Sequence, residues 1–253
     1  MTFRIKFLIL PAFFFLYSCD SGDGGAKDVT EEAAPEQFKL EQHYGQDDGV
    51  AKDATGGVKR YRKAAEQGDA EAQFKLGQIY FHGDGVAKDA TEGVKWYRKA
   101  AEQGKPTAQY NLGVCCLRGY GVAKNLTEAV KWFRKAADQG DAEGQYNLGV
   151  RYLQGEGVAK DATEGVKWLR KAAEQGNTEG QYNLGVCYAK GYGVAKDDVT
   201  AYMWTNLAAS SGVKSAENAK VLRGLLERKM TAERIAEAQL LSRDWKPRPY
   251  QGE

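Results

Sequence analysis

From residue 69 onward the apolar positions fall into two alternating helical stripes. In 69–82, Ala72, Leu76, Ile79 and Tyr80 recur at i, i+4, i+7 and i+8, the spacing of one buried helix face. A second stripe follows through Val94, Tyr97, Ala100 and Ala101. Asp69, Asp141 and Asn177 are N-cap residues for the first kind of helix, and Pro106 takes a first-turn position where its missing N–H costs nothing. Asp89 with Glu92, Asn125 with Glu128, and Asp161 with Glu164 have the spacing of a capping box at the start of the second kind, which Gly104 then closes. The links near Gly83-Asp84-Gly85 and Gly104-Lys105 are short, so each pair of helices is predicted to run antiparallel as a hairpin.

The hairpin is copied. Gly-Val-Ala-Lys recurs at Gly49, Gly85, Gly121, Gly157 and Gly193, always 36 residues apart, and residues 85–104 and 157–176 differ at one position in twenty. Trp96, Trp132, Trp168 and Trp204 keep that register, as do the Ala pairs at 100–101, 136–137, 172–173 and 208–209. A period of this length means stacked supersecondary units, since one hairpin cannot bury both of its faces alone. Complete units are predicted at 69–104, 105–140, 141–176 and 177–212. The unit at 33–68 is degraded, with Glu41 in place of the helical Gly and Arg60 in place of the Trp, which suits an end that faces water. Residues 213–253 supply a capping helix with Ala216, Ala219, Leu222 and Leu226 on one face. Thr231 then opens a last helix carrying Ile235, Ala238 and Leu241. The fold predicted is all-α, an α-solenoid of stacked antiparallel hairpins with roughly a dozen helices and no sheet. Gly77, Gly113, Gly149 and Gly185 sit inside first helices, where glycine costs roughly 1 kcal/mol against alanine. The expected compensation is close approach of the second helix through its Ala pair.

The order Ala72, Leu76, Gly77, Tyr80, then Gly83, Gly85, Val86, Asp89, then Trp96, Tyr97, Lys99, Ala100, Ala101 and Gly104 resembles the Sel-1-like repeat, a relative of the tetratricopeptide family, over about 33–212. The resemblance implies a right-handed superhelix whose first helices line the concave side, and a role as an adaptor, since members of the family commonly act as adaptors. Its concave face then carries Lys75, Gln78 and His82; Asn111, Val114 and Arg118; Asn147, Val150 and Gln154; and Asn183, Val186 and Lys190. The last nine are the candidate binding residues, with amide groups for a peptide backbone and valines for apolar contact. A cysteine-rich branch of the family has β-lactam hydrolysis attributed to it. The within-unit cysteine pairs of that branch are missing here, so the activity is not carried over.

Residues 1–18 have a different character. Arg4 and Lys6 precede an apolar run of 11 residues, Phe7–Tyr17, too short to span a bilayer but suited to a secretory signal. Leu16-Tyr17-Ser18-Cys19 resembles a bacterial lipobox, which makes Cys19 the lipid-attachment residue and anchors the chain to a membrane. Residues 19–32, polar and acidic, read as a flexible linker.

Chemistry is sparse. The net charge is +2, from 36 basic and 34 acidic residues, so the basic excess that drives nucleic-acid binding is absent. The two histidines, His43 and His82, have no Cys or second His at ligand spacing. Cys115 and Cys187, two units apart, are too distant to form a disulfide, and the adjacent Cys115 and Cys116 diverge on one helix. No catalytic residue, metal or cofactor is expected. The expectation is a non-catalytic scaffold for a protein or peptide ligand, lipid-tethered in the bacterial cell envelope, periplasm-facing or secreted. An envelope hydrolase or a structural spacer are the alternatives.

Overall fold

Residues 54–211 and 215–249 are described in a computed structural model of the chain. They form eleven helices and, among the described residues, no strand: α1 (Ala54–Glu66), α2 (Ala70–His82), α3 (Ala90–Glu102), α4 (Pro106–Arg118), α5 (Leu126–Asp138), α6 (Ala142–Gln154), α7 (Ala162–Glu174), α8 (Thr178–Lys190), α9 (Asp198–Ala209), α10 (Ser215–Glu227) and α11 (Ala232–Asp244). Each helix from α1 to α9 packs on the one that follows it in the chain, so the architecture is the predicted stack of hairpins α2/α3, α4/α5, α6/α7 and α8/α9. Buried apolar clusters lie at both ends of the array. Leu76, Leu112, Leu148 and Leu184 are wholly buried on the first helices, and Tyr97, Phe133, Leu169 and Thr205, which share one register, are wholly buried on the second.

The capping residues act where the sequence places them. Asp69, Asp141 and Asn177 accept from the backbone N–H three residues on, at 2.6 to 2.7 Å. Asp89, Asn125 and Asp161 accept from Glu92, Glu128 and Glu164 N–H at 2.9 to 3.0 Å. The second half of the capping box does not form. The N–H groups of Asp89, Asn125 and Asp161 instead donate to the carbonyls of Tyr80, Cys116 and Tyr152, nine residues back on the preceding helix, which closes each hairpin turn. Released from the cap, Glu164 Oε1 accepts from the Trp168 indole at 2.9 Å, and Glu128 takes the Trp132 indole at 3.4 Å.

Close approach inside each hairpin is confirmed, but its partner differs from the Ala pair. A Cβ on Gly77 would lie 2.6 Å from the Tyr97 ring and 3.1 Å from the Gly93 carbonyl. One on Gly149 would lie 2.9 Å from the Gly165 carbonyl, and Gly113 and Gly185 meet Phe133 and Thr205 in the same way. The Ala pairs face the other direction, toward the following unit: Ala136 Cβ would stand 2.8 Å from a Cβ on Gly144, and Ala172 Cβ 3.1 Å from one on Gly180. Glycine thus sets the spacing within a hairpin, and between hairpins a glycine meets the alanine. The reason is geometric. A side chain already crosses the intra-hairpin gap, Tyr97, Phe133, Leu169 or Thr205 in turn, and only a bare Cα leaves room for it.

Between units, buried amides accompany the apolar packing. Gln73, Gln109, Gln145 and Gln181 are nearly inaccessible to water, and each donates to a carbonyl at the end of the previous second helix: Ala65, Ala101, Ala137 and Ala173, at 3.0 to 3.3 Å. Their oxygens are used as well. Gln103, Gln139 and Gln175 of the following loops donate to Gln73, Gln109 and Gln145 at 2.7 to 2.8 Å. Each of these last-turn carbonyls also accepts from the glycine N–H three residues on, so the glutamine adds a second bond that ties the helix end to the next unit.

The cap at the C-terminal end departs from the repeat. Ala216, Ala219 and Leu226 of α10 are buried as predicted, but in α11 Leu241 points to solvent, and Ser242, one residue later, is buried instead. α11 lies along α9, where Asn206 offers an amide. Ser242 Oγ accepts from Asn206 at 3.1 Å and donates to the Ala238 carbonyl at 2.6 Å, so a polar residue takes the inward position. Trp245 then packs edge-on against Trp204, with ring centres 6.0 Å apart, and the Arg248 N–H donates to the Glu174 carbonyl at 2.8 Å.

The second glycine of each G-x-G turn makes the tightest contact between units. Gly121, at φ +65°, would bring a Cβ within 2.2 Å of the Ala90 carbonyl in the unit before, whereas Gly104, at φ +91°, has nothing within 4 Å. Gly104→Ala therefore carries only the left-handed backbone cost, about 1–2 kcal/mol. Gly121→Ala adds a clash with rigid backbone and should lose at least about 2 kcal/mol more. Urea denaturation of the two variants beside the parent separates the two costs.

Candidate functional site

The last turns of the first helices carry solvated side chains at His82, Arg118, Gln154 and Lys190. Among the nine candidate residues, Asn111, Val114 and Val186 are buried, Asn147, Val150 and Asn183 are half-buried, and Arg118, Gln154 and Lys190 are exposed. The asparagines also make bonds within their own helices. Asn147 donates to the Glu143 carbonyl at 2.9 Å and Asn183 to the Glu179 carbonyl at 2.8 Å, which commits part of each amide before any partner arrives. In the first complete unit Lys75 and Gln78 are half-buried and His82 is exposed. Cys19, the signal, the linker, His43 and Glu41 lie outside the described residues. No described helix is long and apolar enough to cross a membrane.

A tyrosine register one residue before the asparagines escaped the sequence reading. Phe74, Tyr110, Tyr146 and Tyr182 lie partly beneath the first-helix surface; Phe74 stacks toward Tyr97 at 5.8 Å and Tyr110 toward Phe133 at 6.1 Å. Burial, followed by the carboxylates of Glu179 and Glu143, pushes the Tyr146 phenol up to about 12. Tyr110 is pushed up further, by burial first and by Glu143 and Asp141 next. These hydroxyls are neutral hydrogen-bonding groups at physiological pH. The signal was present in the recurring Gln-Tyr-Asn-Leu-Gly, but periodicity alone could not separate core from surface there.

The second helices carry a run of charge pairs and cation–ring contacts. Arg134 and Arg170 donate to the Tyr152 and Tyr188 hydroxyls of the next unit and lie 5.4 and 5.5 Å from those ring centres. Lys99, Lys135 and Lys171 lie over Trp96, Trp132 and Trp168. Where Cys116 stands in place of that Tyr, Arg98 turns to Glu128 at 3.0 Å. Burial opposes ionisation of Glu128, but hydrogen bonds from Arg98 and Trp132 outweigh it and hold the carboxyl below its usual range. An open concavity of about 400 Å³ beside Val94 and Val122 is edged by Lys95, Arg98 and Lys99, each engaged with Glu92, Glu128 or Trp96.

Reactive groups are few. Cys115, Cys116 and Cys187 are buried free thiols, and burial pushes them up to about 12, about 11 and about 12. Among the described residues no group of three His, Cys, Asp or Glu side chains is placed to hold a metal ion.

A stack of helical hairpins joined by glycine contacts and buried amides defines a repeat solenoid. The Sel1 repeat family matches at residues 40–69, 70–105, 106–141, 142–177 and 178–213, and the chain belongs to that family. Among solved structures it is similar to c5321, a protective antigen of uropathogenic Escherichia coli strains with an SLR fold. Identity is 41% and the TM-score 0.69, over 74% of this chain and 40% of that one. It is also similar to a Sel1 repeat protein from Oxalobacter formigenes, at 38% identity and a TM-score of 0.63, over 77% of each chain. This chain therefore spans less than half the length of the E. coli protein. A comparison with curated proteins gives no match. Sel1 repeat proteins commonly serve as protein-interaction scaffolds.

Thiolate is the reactive form of cysteine, so the raised thiols should hold about one part in a thousand or less as thiolate at pH 8. A Cys19→Ser chain treated with a thiol-specific disulfide reagent at that pH should stay unmodified while folded and react at three sites in denaturant.

Proposed function

We propose that the chain is a non-catalytic scaffold that offers its first-helix face to a protein or peptide ligand in the bacterial cell envelope, held at the membrane through a lipid on Cys19. One observation carries the first half. At the end of the first helices the exposed register reads His82, Arg118, Gln154 and Lys190, a different side chain in every unit of an otherwise closely copied hairpin. Copying explains sameness, and the Gln, Gly and Trp registers are spent on holding the stack. A register that is both solvated and diversified is free to specify a partner. The envelope location rests on the signal-like residues 1–18 and the lipobox-like Leu16–Cys19, and description of the 41% identical E. coli relative as a protective antigen agrees with it.

The binding half is tested by photo-crosslinking in intact cells. A photoreactive residue at Gln154 or Lys190 should yield discrete adducts, while one at Lys95 or Lys131 on the second helices should not; equal labelling from both sides contradicts the assignment. The anchoring half is tested by fractionation. The parent chain should sediment with membranes and Cys19→Ser should move to the soluble envelope fraction, since loss of the acyl chains removes the hydrophobic anchor. Purified chain that hydrolysed β-lactams would contradict the non-catalytic reading.

A further inference from the structure

We infer that Arg151 and Arg118 form an anion subsite, at the junction of the second and third complete units, that takes a side-chain carboxylate of the bound peptide. The inference rests on the peptide-scaffold reading and adds the ligand's chemistry to it.

Arg151 is out of place in its register. The equivalent residues are Ile79, Cys115 and Cys187, apolar or nearly so, and both cysteines are fully buried. The Arg151 side chain is only 13% exposed, so a cation occupies a position that the other units fill with a small hydrophobe. A basic residue in a last helical turn suits the helix dipole, but the dipole does not require burial. One carboxylate answers it. Glu156, in the following loop, pairs with Arg151 Nη1 and is itself 42% exposed.

Glu156 is the second departure at this junction. In the neighbouring units that loop position is Tyr120 or Tyr192. Each reaches back to the preceding unit, Tyr120 against Phe81 with ring centres 6.1 Å apart and Tyr192 donating to the Leu153 carbonyl at 3.0 Å. The third unit gives up that stitch for an ion pair with its own helix.

The pair leaves the guanidinium incompletely used. Arginine has five N–H donors in a planar fork suited to bidentate carboxylates. Here Nε is buried with no hydrogen-bond partner. Arg118, exposed and without an ion pair among the described residues, adds a second positive charge nearby; burial first, and then Arg118, make the charged form of Arg151 harder to hold, while Glu156 and Tyr146 favour it. The one carboxylate paired with Arg151 is itself exposed, and a second carboxylate would balance the added charge of Arg118. The junction lies in the interior of the array, with a complete unit on each side of the pair of units it joins. A peptide lying along the first helices therefore presents a side chain there and not its terminus.

The repeat supplies fold-safe controls. Arg151→Cys with Glu156→Tyr installs the Cys/Tyr combination of the second and fourth complete units, and Arg118→Gln installs the residue found at 154. The probes are the acetylated, amidated pentapeptide Ser-Ser-Glu-Ser-Ser, its Gln counterpart, and the Gln peptide with a free C-terminal carboxylate, titrated into the full chain while the arginine Nε–H resonances are followed by NMR. The Glu peptide should shift the Arg151 resonance saturably and bind about tenfold more tightly than the amidated Gln peptide, the scale of one charge-assisted bond. That preference should vanish in the double variant and weaken in Arg118→Gln. Equal binding of Glu and amidated Gln peptides overturns the subsite and leaves peptide binding intact. A preference for the free-acid Gln peptide over the Glu peptide overturns the side-chain assignment. Binding by none of the three overturns the subsite, while the in-cell adducts at Gln154 and Lys190 judge the scaffold reading independently.

Discussion

Every helix here depends on a neighbour for burial, and the neighbour's distance is fixed by residues with almost no side chain. Where Tyr97 crosses to α2, Gly77 clears its ring. Where the next unit arrives, Gly121 lets its turn settle on the Ala90 carbonyl. A protein interior is packed too densely to absorb even one methyl group at such points without movement. Glycine's intrinsic penalty in a helix is therefore tolerated at Gly77, Gly113, Gly149 and Gly185, because the alternative is loss of the hairpin's own core.

Polar groups then define the register along the array. A stack of apolar hairpins could slide or tilt, since hydrophobic contact has no direction. The buried glutamines remove that freedom. Gln109 must meet the Ala101 carbonyl and the Gln139 amide together, and any slip would bury unpaired donors and acceptors at a cost of about 1–3 kcal/mol each. The same device recurs at Gln73 and Gln145, so nearest-neighbour geometry is copied along with the sequence. With packing and register assigned to those positions, the solvated ends of the first helices are left to differ from unit to unit.

Much of this was legible in the sequence because it repeats. The period, hairpins, N-caps, left-handed glycine ends and buried Leu, Trp and Ala positions followed from spacing and side-chain type. What escaped depended on contacts between units. Glutamine reads as a surface residue, and only the structure places Gln145 wholly inside. Glu164 has the spacing of a capping box, yet a carbonyl from the previous helix takes the N–H it was expected to bind. Leu241 matches the apolar face of α11, but Asn206 across the gap favours Ser242. For the candidate surface, periodicity located the register and not its exposure: Asn111 and Val186 are covered, while Arg118 and Lys190 are open. The Arg151/Glu156 exchange stood in the aligned units as a departure, but its burial did not.

Whether nearest-neighbour contact governs the molecule is open to direct measurement by hydrogen exchange on the full chain and on a Gln139→Leu variant. That substitution removes the Gln139–Gln109 bond, which holds in place the amide that joins its unit to the one before through the Ala101 carbonyl. If stability is a sum of units and their interfaces, lost protection should be greatest in α3, α4 and α5 and fade toward α1 and α9. Protection lost evenly from end to end, or lost nowhere, would contradict that view of the fold.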